Sequence, residues 1–367
     1  MKFSVQQDAL HKAVAKLGTR ITRSNAQPIL SHFLISASEG KLEITASDME
    51  ISARVSVEVE VTEPGSVAVP AAKLSSLVNA LIPGEPVSCQ LEGDRFILRS
   101  GRGRFALSTM PAEDFTDMQP EEGGSSITLG AQDLVGLFSR TSFAMPTNDE
   151  RVVLNGTLFE VENGQLNIVA TDGHRLAFGR TLLDSAEGGA CSVIIPKKTV
   201  VELQRMLKST NGSVTVSCNV HSVGIEGADL RVVSKLVDGT FPDYKAFMPV
   251  AQESPIVVDS GALQSGLARI AVVSDEKGHA MSLEVADNEM RLSARNGPAE
   301  GGSDNIEIEG NPDPCKGSFN LNYLSDALGA ISAESVELHL SNGFLPSFIT
   351  AGDDPYTSVQ VVMPLKD

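Results

Sequence analysis

Ser38-Glu-Gly-Lys-Leu-Glu-Ile-Thr-Ala-Ser-Asp48 returns as Glu162-Asn-Gly-Gln-Leu-Asn-Ile-Val-Ala-Thr-Asp172 and again as Ala286-Asp-Asn-Glu-Met-Arg-Leu-Ser-Ala-Arg-Asn296. Asp48, Asp172 and Asn296 stand 124 residues apart, so one pattern occurs three times at constant spacing. Solenoid units run at roughly 20 to 50 residues, so this period is a whole domain repeated, and each copy is expected to close its own core. Other landmarks keep the phase with small slips. Val69-Pro70 recurs as Ile195-Pro196 and Phe319-Asn320, and Asp114-Phe-Thr-Asp-Met118 recurs as Thr240-Phe-Pro-Asp-Tyr244. Chance similarity between strand-rich segments would not hold both spacing and face over three copies.

Within copy one the short strand Lys2-Phe-Ser-Val precedes a helical stretch with Leu10, Val14, Leu17 and Ile21 on one face. Alternating strands follow: Ser31 to Ala37, then one with Leu42, Ile44 and Ala46 on one face, then Ile51 to Glu60. The second half repeats the order: Ser66-Val-Ala-Val-Pro70, a helix over about 71–81, and strands at 87–91, 95–99 and 104–109. Each copy reads as two β-α-β-β-β halves, with helices on one face of antiparallel sheets in an α+β arrangement. The bend-rich segments Gln119-Pro-Glu-Glu-Gly-Gly-Ser-Ser126 and Pro249-Val-Ala-Gln-Glu-Ser-Pro255 join the copies. They put the domains at 1–121, 122–250 and 251–367, which suits a chain of 367 residues.

Composition narrows the function. No run approaches the roughly 18 apolar residues that span a bilayer, and the first residues lack the apolar middle of a signal peptide, so a cytosolic protein is expected. Cys89, Cys191, Cys218 and Cys315 lie far apart without a Cys-x-x-Cys pair. Cys218 and His221 have ligand-like spacing but no second pair, so neither a disulfide framework nor a zinc site is expected, and no cofactor. A formal charge of −18 counts, as an average, against a nucleic-acid partner. The distribution decides. Lys12, Lys16 and Arg20 follow at i, i+4, i+8, with Arg23 just beyond; Lys197, Lys198, Arg205 and Lys208 sit on or before the second helix of copy two. One such stripe is ordinarily a solvated face. Its recurrence on the helical layer of an acidic chain favours a polyanion bound through sequence-independent phosphate contact, with Arg20, Arg23, Lys73, Lys197 and Lys198 as the candidate contacts.

Tandem like domains close into rings or continue as filaments, and a crescent of three closes by pairing with a second crescent through strand edges. Copy one offers the basic, apolar stretch Gly101-Arg102-Gly103-Arg104-Phe105-Ala106-Leu107; copy three offers Glu300, Asp304, Glu307 and Glu309. Solvated loops with scattered charges account for these residues equally well. Signals for catalysis are weak. Thr171-Asp172-Gly173-His174-Arg175 could place Asp172 behind His174 as a general base, but no nucleophile, paired carboxylate or phosphate loop accompanies it. Asp172 also stands where Asp48 and Asn296 stand, which is ordinary turn chemistry. Gly-His-Arg-Leu176 occurs in copy two alone, which points to a function particular to that copy.

Several stretches resemble the bacterial sliding clamps, the beta subunits of DNA polymerase III. They are Met1-Lys-Phe, Thr171-Asp-Gly-His-Arg-Leu-Ala177, Pro196-Lys-Lys with Glu202-Leu and Arg205-Met-Leu, Ser234-Lys-Leu-Val-Asp-Gly with Phe241-Pro-Asp-Tyr244, and Val361-Val-Met-Pro-Leu365. The resemblance implies a head-to-tail homodimeric ring whose helices line a hole for duplex DNA. It implies a non-catalytic processivity factor that tethers the polymerase III catalytic subunit, the clamp loader, and other polymerases and repair proteins. Their short apolar peptides would enter a groove walled by Leu154, Thr171, Gly173, His174, Arg175, Leu176, Pro242, Phe247, Val361, Met363, Pro364 and Leu365. The ring contact would use Arg102, Arg104, Phe105, Leu107, Glu300 and Asp304. The chain departs from a common pattern at Ala246, where a basic residue often lies, and in its tail Lys366-Asp367.

Overall fold

Two residues decide how each copy of the opening pattern folds. Strands pair with register Ser38↔Lys41, Glu162↔Gln165 and Ala286↔Glu289, leaving two-residue loops between them. Such loops need positive φ at their centres, because only the primed turns follow the strand twist. Glu39 (48°) with Gly40 (77°), Asn163 (53°) with Gly164 (72°), and Asn288 (60°) supply it. The computed structural model describes residues 1–367 apart from 22–26, 122, 184–185, 188, 249–254, 276–277, 287, 311–312, 341–344 and 366–367. Arg23 and the Lys366-Asp367 tail lie outside the described residues.

The β-α-β-β-β order recurs through the chain, with short extra strands at Glu60–Glu63 and Ala186–Glu187. Six α-helices are described: α1 (Gln7–Leu17), α2 (Ala71–Ala80), α3 (Ala131–Thr141), α4 (Lys197–Leu207), α5 (Ser260–Ala271) and α6 (Leu321–Gly329). The helix expected to run to Ile21 stops at Leu17. Gly18 takes φ 63° and returns its N–H to the Val14 carbonyl, so Ile21 is buried from the following turn and Arg20 falls off the helix that Lys12 and Lys16 occupy. In copies one and two a glutamine ties the two helices: Gln7 Nε2 donates to the Val78 carbonyl (2.9 Å) and Gln132 Nε2 to that of Leu207 (3.0 Å).

The chain divides into two compact units, one chiefly Met1–Gln132 with Arg205–Leu236, the other chiefly Asp133–Asp184, Gly189–Gln204 and Val237–Asp367. Neighbouring copies share sheets, although the buried residues of one apolar cluster, from Ile256 to Val362, all belong to copy three. In the first unit Ile51–Glu58 of copy one pairs antiparallel with Leu230–Lys235 of copy two inside a nine-stranded sheet. In the second, Arg175–Leu182 of copy two pairs with Thr357–Val362 of copy three inside an eight-stranded sheet, and one apolar cluster mixes Leu154, Leu176 and Phe178 with Phe348 and Val361. The reason is the edge. The last strand of a half presents unpaired N–H and C=O groups, and the neighbouring copy's equivalent strand satisfies them. Two equivalents have a neighbour on one side only: Gly103–Ser108, at the end of a five-stranded sheet, and Glu300–Glu307, at the end of a four-stranded one.

Candidate functional site

The hairpin tip at 171–175 is a turn built by side chains. Asp172 Oδ1 accepts the N–H groups of His174 (2.9 Å) and Arg175 (3.0 Å), as Asp48 does for Glu50 and Ile51 at the equivalent place. Asp172 Oδ2 takes Arg175 Nε at 3.0 Å, while the His174 ring stacks on Tyr323 with centroids 6.4 Å apart. Asp172 is thus committed to the turn and to Arg175. Gly173 has φ 87°, and a Cβ there would come within 2.9 Å of Arg151 Nη1, so both backbone and space call for glycine.

Beside this tip lies a cleft of about 220 Å³. Leu154, Leu176, Phe241, Tyr244 and Val361 line it and are buried, whereas Phe247 is 60% exposed and Met363 36%. Cross-strand register brings the wall together: Leu176 faces Val361, and beyond the strand end Met363 N–H donates to the His174 carbonyl at 2.9 Å. Phe247 is presented by a 3₁₀ turn, Tyr244–Phe247, capped by Asp243, whose carboxylate accepts the Lys245 N–H at 3.2 Å. Large apolar side chains left in water around a concave apolar floor mark a binding surface.

Of the residues expected at a groove, the cleft gathers Leu154, Thr171, Gly173, Arg175, Leu176, Pro242, Phe247, Val361 and Met363. His174 turns to Tyr323, and Pro364 and Leu365 are half-buried outside the lining, with Leu365 N–H on the Ser318 carbonyl (2.7 Å). Arg151, Phe241, Tyr244 and Pro346 also line it. Phe241 and Tyr244 belong to a motif noted in the sequence; Arg151 and Pro346 carried no signal. Arg175 is fully engaged: Nη1 donates to Asp326 (2.6 Å), Nη2 to the Phe143 carbonyl (2.9 Å), and the guanidinium lies 4.5 Å from the Tyr323 ring centre. Hydrogen bonds from Arg151 hold the Asp149 carboxyl down at about 2.

The cations expected on the helical layer separate into two groups. Arg20, Lys73 and Lys198 are exposed. Lys197 Nζ donates to the carbonyls of Met145 (2.8 Å) and Pro146 (3.3 Å) and to Thr147 Oγ1 (2.8 Å). Lys16 is paired with Asp229 at 2.8 Å. Arg205 caps α1, donating to the carbonyls of Ala15, Lys16 and Leu17 at 3.0, 2.7 and 2.6 Å. At the free edges, Arg102 is exposed, Phe105 is 38% exposed and Leu107 half-buried; Arg104 pairs with Glu92, Asp304 with Arg269, and Glu300 accepts from Asn296. Val272, at the end of α5, is 84% exposed and had drawn no notice in the sequence. Among the described residues no group of three His, Cys, Asp or Glu side chains is placed to hold a metal, and no helix is long and apolar enough to cross a membrane.

Repeated α+β domains, an apolar cleft and open strand edges define a multidomain binding protein. The patterns of the N-terminal, central and C-terminal domains of the DNA polymerase III beta subunit match residues 1–119, 128–243 and 245–366. The beta sliding clamps of Pseudomonas aeruginosa and Escherichia coli K12 are 33% and 34% identical to this chain, over 100% of both chains in each case. A crystal structure of the P. aeruginosa clamp bound to griselimycin matches with a TM-score of 0.95 at 33% identity, and one from Bartonella birtlesii, also bound to griselimycin, with 0.93 at 30%, each covering 100% of both chains. The chain belongs to the DNA polymerase III beta subunit family, the bacterial beta sliding clamps. It is a DNA sliding clamp, a processivity subunit for replication that is not itself catalytic.

Proposed function

We propose that two copies of the chain join head to tail into a closed ring around duplex DNA, and that the cleft beside Gly173 holds short apolar peptides of the polymerase III catalytic subunit, the clamp loader and other replication and repair proteins in the cytoplasm. The observation that carries the ring is the account of strand edges. Six equivalent strands end the six halves; four are used up in two pairings between copies, and one at each end of the repeat array is left over. Gly103–Ser108 of one chain against Glu300–Glu307 of another repeats the same kind of pairing and leaves no such edge open. Arg102 and Arg104 on one edge meet Glu300 and Asp304 on the other, which sets polarity, while Phe105, Leu107 and the exposed Val272 supply apolar area.

A threaded ring leaves DNA only by opening or by reaching a free end, so phosphate contacts need not be tight. They must be weak and indifferent to sequence, which suits a few exposed cations (Arg20, Lys73, Lys198) on a body of charge −18 whose field otherwise repels DNA. The tethered polymerase gains effective concentration at the primer end without any stronger single contact. Retention after assisted loading at high salt tests the ring: the chain should persist on circular duplex and run off a linear one. Equal loss from both, or a monomer in solution at cellular concentration, would sink it. The cleft is tested by titration with griselimycin, which relatives bind: Phe247→Asp should abolish uptake of heat on titration.

A further inference from the structure

Lys197 stands at the first residue of α4, where the positive end of the helix disfavours an ammonium group. An ammonium has three donors, and here three acceptors take them: the carbonyls of Met145 and Pro146 and the hydroxyl of Thr147. Its backbone N–H donates to the Asn155 carbonyl at 3.0 Å. One residue therefore ties down both ends of the segment 145–155. Between those ends the segment is braced internally, with Asn155 and Asp149 exchanging two hydrogen bonds of 2.8 Å, and externally by Arg151 Nη2 on the Asp172 carbonyl at 2.8 Å. Two of its residues, the exposed Arg151 and the buried Leu154, are wall of the cleft. Burial, and secondarily the Arg175 charge, pull the Lys197 pKa below its ordinary value, as suits an ammonium turned inward.

We propose that Lys197 is a positioning residue for the groove: its ammonium holds Met145, Pro146 and Thr147 so that Arg151 and Leu154 stand where a bound peptide needs them, and it does not serve as a phosphate contact. The assignment rests on reading the cleft as the peptide groove. It gives adjacent lysines opposite tasks, Lys197 facing the protein and the exposed Lys198 facing DNA.

The test uses the full-length chain and griselimycin as probe, in calorimetric titration, beside hydrogen exchange and the salt dependence of duplex binding. Lys197→Met keeps the side-chain length and removes the donors; griselimycin affinity should fall by roughly tenfold, the worth of one charge-assisted hydrogen bond or less. Amides in 145–155 should exchange faster while the rest of the second unit exchanges as in the wild type. Thr147→Val, which removes one acceptor and leaves the lysine, should give a smaller loss in the same direction, and duplex binding should keep its wild-type salt slope in both. Wild-type griselimycin affinity in Lys197→Met, when Phe247→Asp has lost binding, would overturn the proposal. So would a salt slope lowered as much by Lys197→Met as by Lys198→Ala. Undiminished binding by Phe247→Asp would instead overturn the groove reading, and the role of Lys197 with it.

Discussion

Replacing Arg140 with methionine should loosen the strand that carries Val361 into the cleft. Arg140 on α3 and Asp354 in the segment before that strand are 6% and 0% exposed. Nε donates to both carboxylate oxygens (3.0 and 3.1 Å) and Nη2 to Oδ1 (2.5 Å), while the guanidinium lies 4.4 Å from the Tyr356 ring centre. Ser358 and the Tyr356 N–H complete the carboxylate's contacts, and Gln360 donates to the Arg140 carbonyl at 3.1 Å. Without the guanidinium, Asp354 is a buried carboxylate with two neutral donors, and breaking such a pair costs about 3–5 kcal/mol. At a urea dependence of about 1–3 kcal/mol per molar, the midpoint should drop by at least about 1 M. The readout is selective: the chain has no Trp, and its three tyrosines, Tyr244, Tyr323 and Tyr356, all lie in the second unit, so tyrosine fluorescence follows that unit alone. Arg140→Met with Asp354→Leu replaces both charges by apolar groups and should recover part of the loss. An Arg140→Met midpoint within about 0.3 M of the wild type, or a double variant whose loss equals the sum of the singles, would refute the reasoning.

Phe105→Asp puts a charge on a free strand edge and should leave a folded monomer by sedimentation, with unchanged circular dichroism; a surviving dimer would remove that edge from the contact. His339, 3% exposed and stacked on Phe348, has its pKa lowered by burial, against a smaller opposing effect of Glu337. The unfolded chain therefore binds the proton more readily. The stabilisation is complete above the ordinary histidine value of about 6.5 and fades as pH falls through the folded value, so His339→Gln should flatten the decline in urea midpoint on going below that value. An unchanged slope would assign the decline to other groups. Lys73→Ala and Lys198→Ala should each reduce the log–log salt slope of duplex binding by about 0.9, one phosphate apiece, and an unchanged slope would remove that lysine from the contact.

What could be read from the sequence was whatever the chain encodes locally. The period of 124 residues, the three hairpins and the helix-then-strands order all depend on residues close together, through turn chemistry and alternation. The pairing of Ile51–Glu58 with Leu230–Lys235 does not: alternation says which face of a strand is apolar and nothing about which edge finds which partner. For the same reason the Leu10, Val14, Leu17, Ile21 spacing overran α1. Burial placed Ile21 on the apolar side, and Gly18 had already ended the helix.

Charge was the least legible quantity, and its misreading is instructive. Lys16, Lys197 and Arg205 look alike in the sequence, yet each ends on a distant acceptor: Asp229, 213 positions on; the Met145 carbonyl, 52 back; the Ala15 carbonyl, 190 back. A stripe of cations shows that positive charge is present and leaves open where it is spent. Once those three are assigned to architecture, the exposed cations noted on the helical layer are, among the described residues, the thinly spaced Lys12, Arg20, Lys73, Lys198 and Lys208. That sparseness is what a threaded clamp requires, since every additional phosphate neutralised would steepen the salt dependence and deepen the wells along the duplex that sliding must cross. In the proposed ring the half-buried, internally bonded cations would supply rigidity and the exposed ones contact, and neither group could be enlarged at the expense of the other without slowing the motion or loosening the walls.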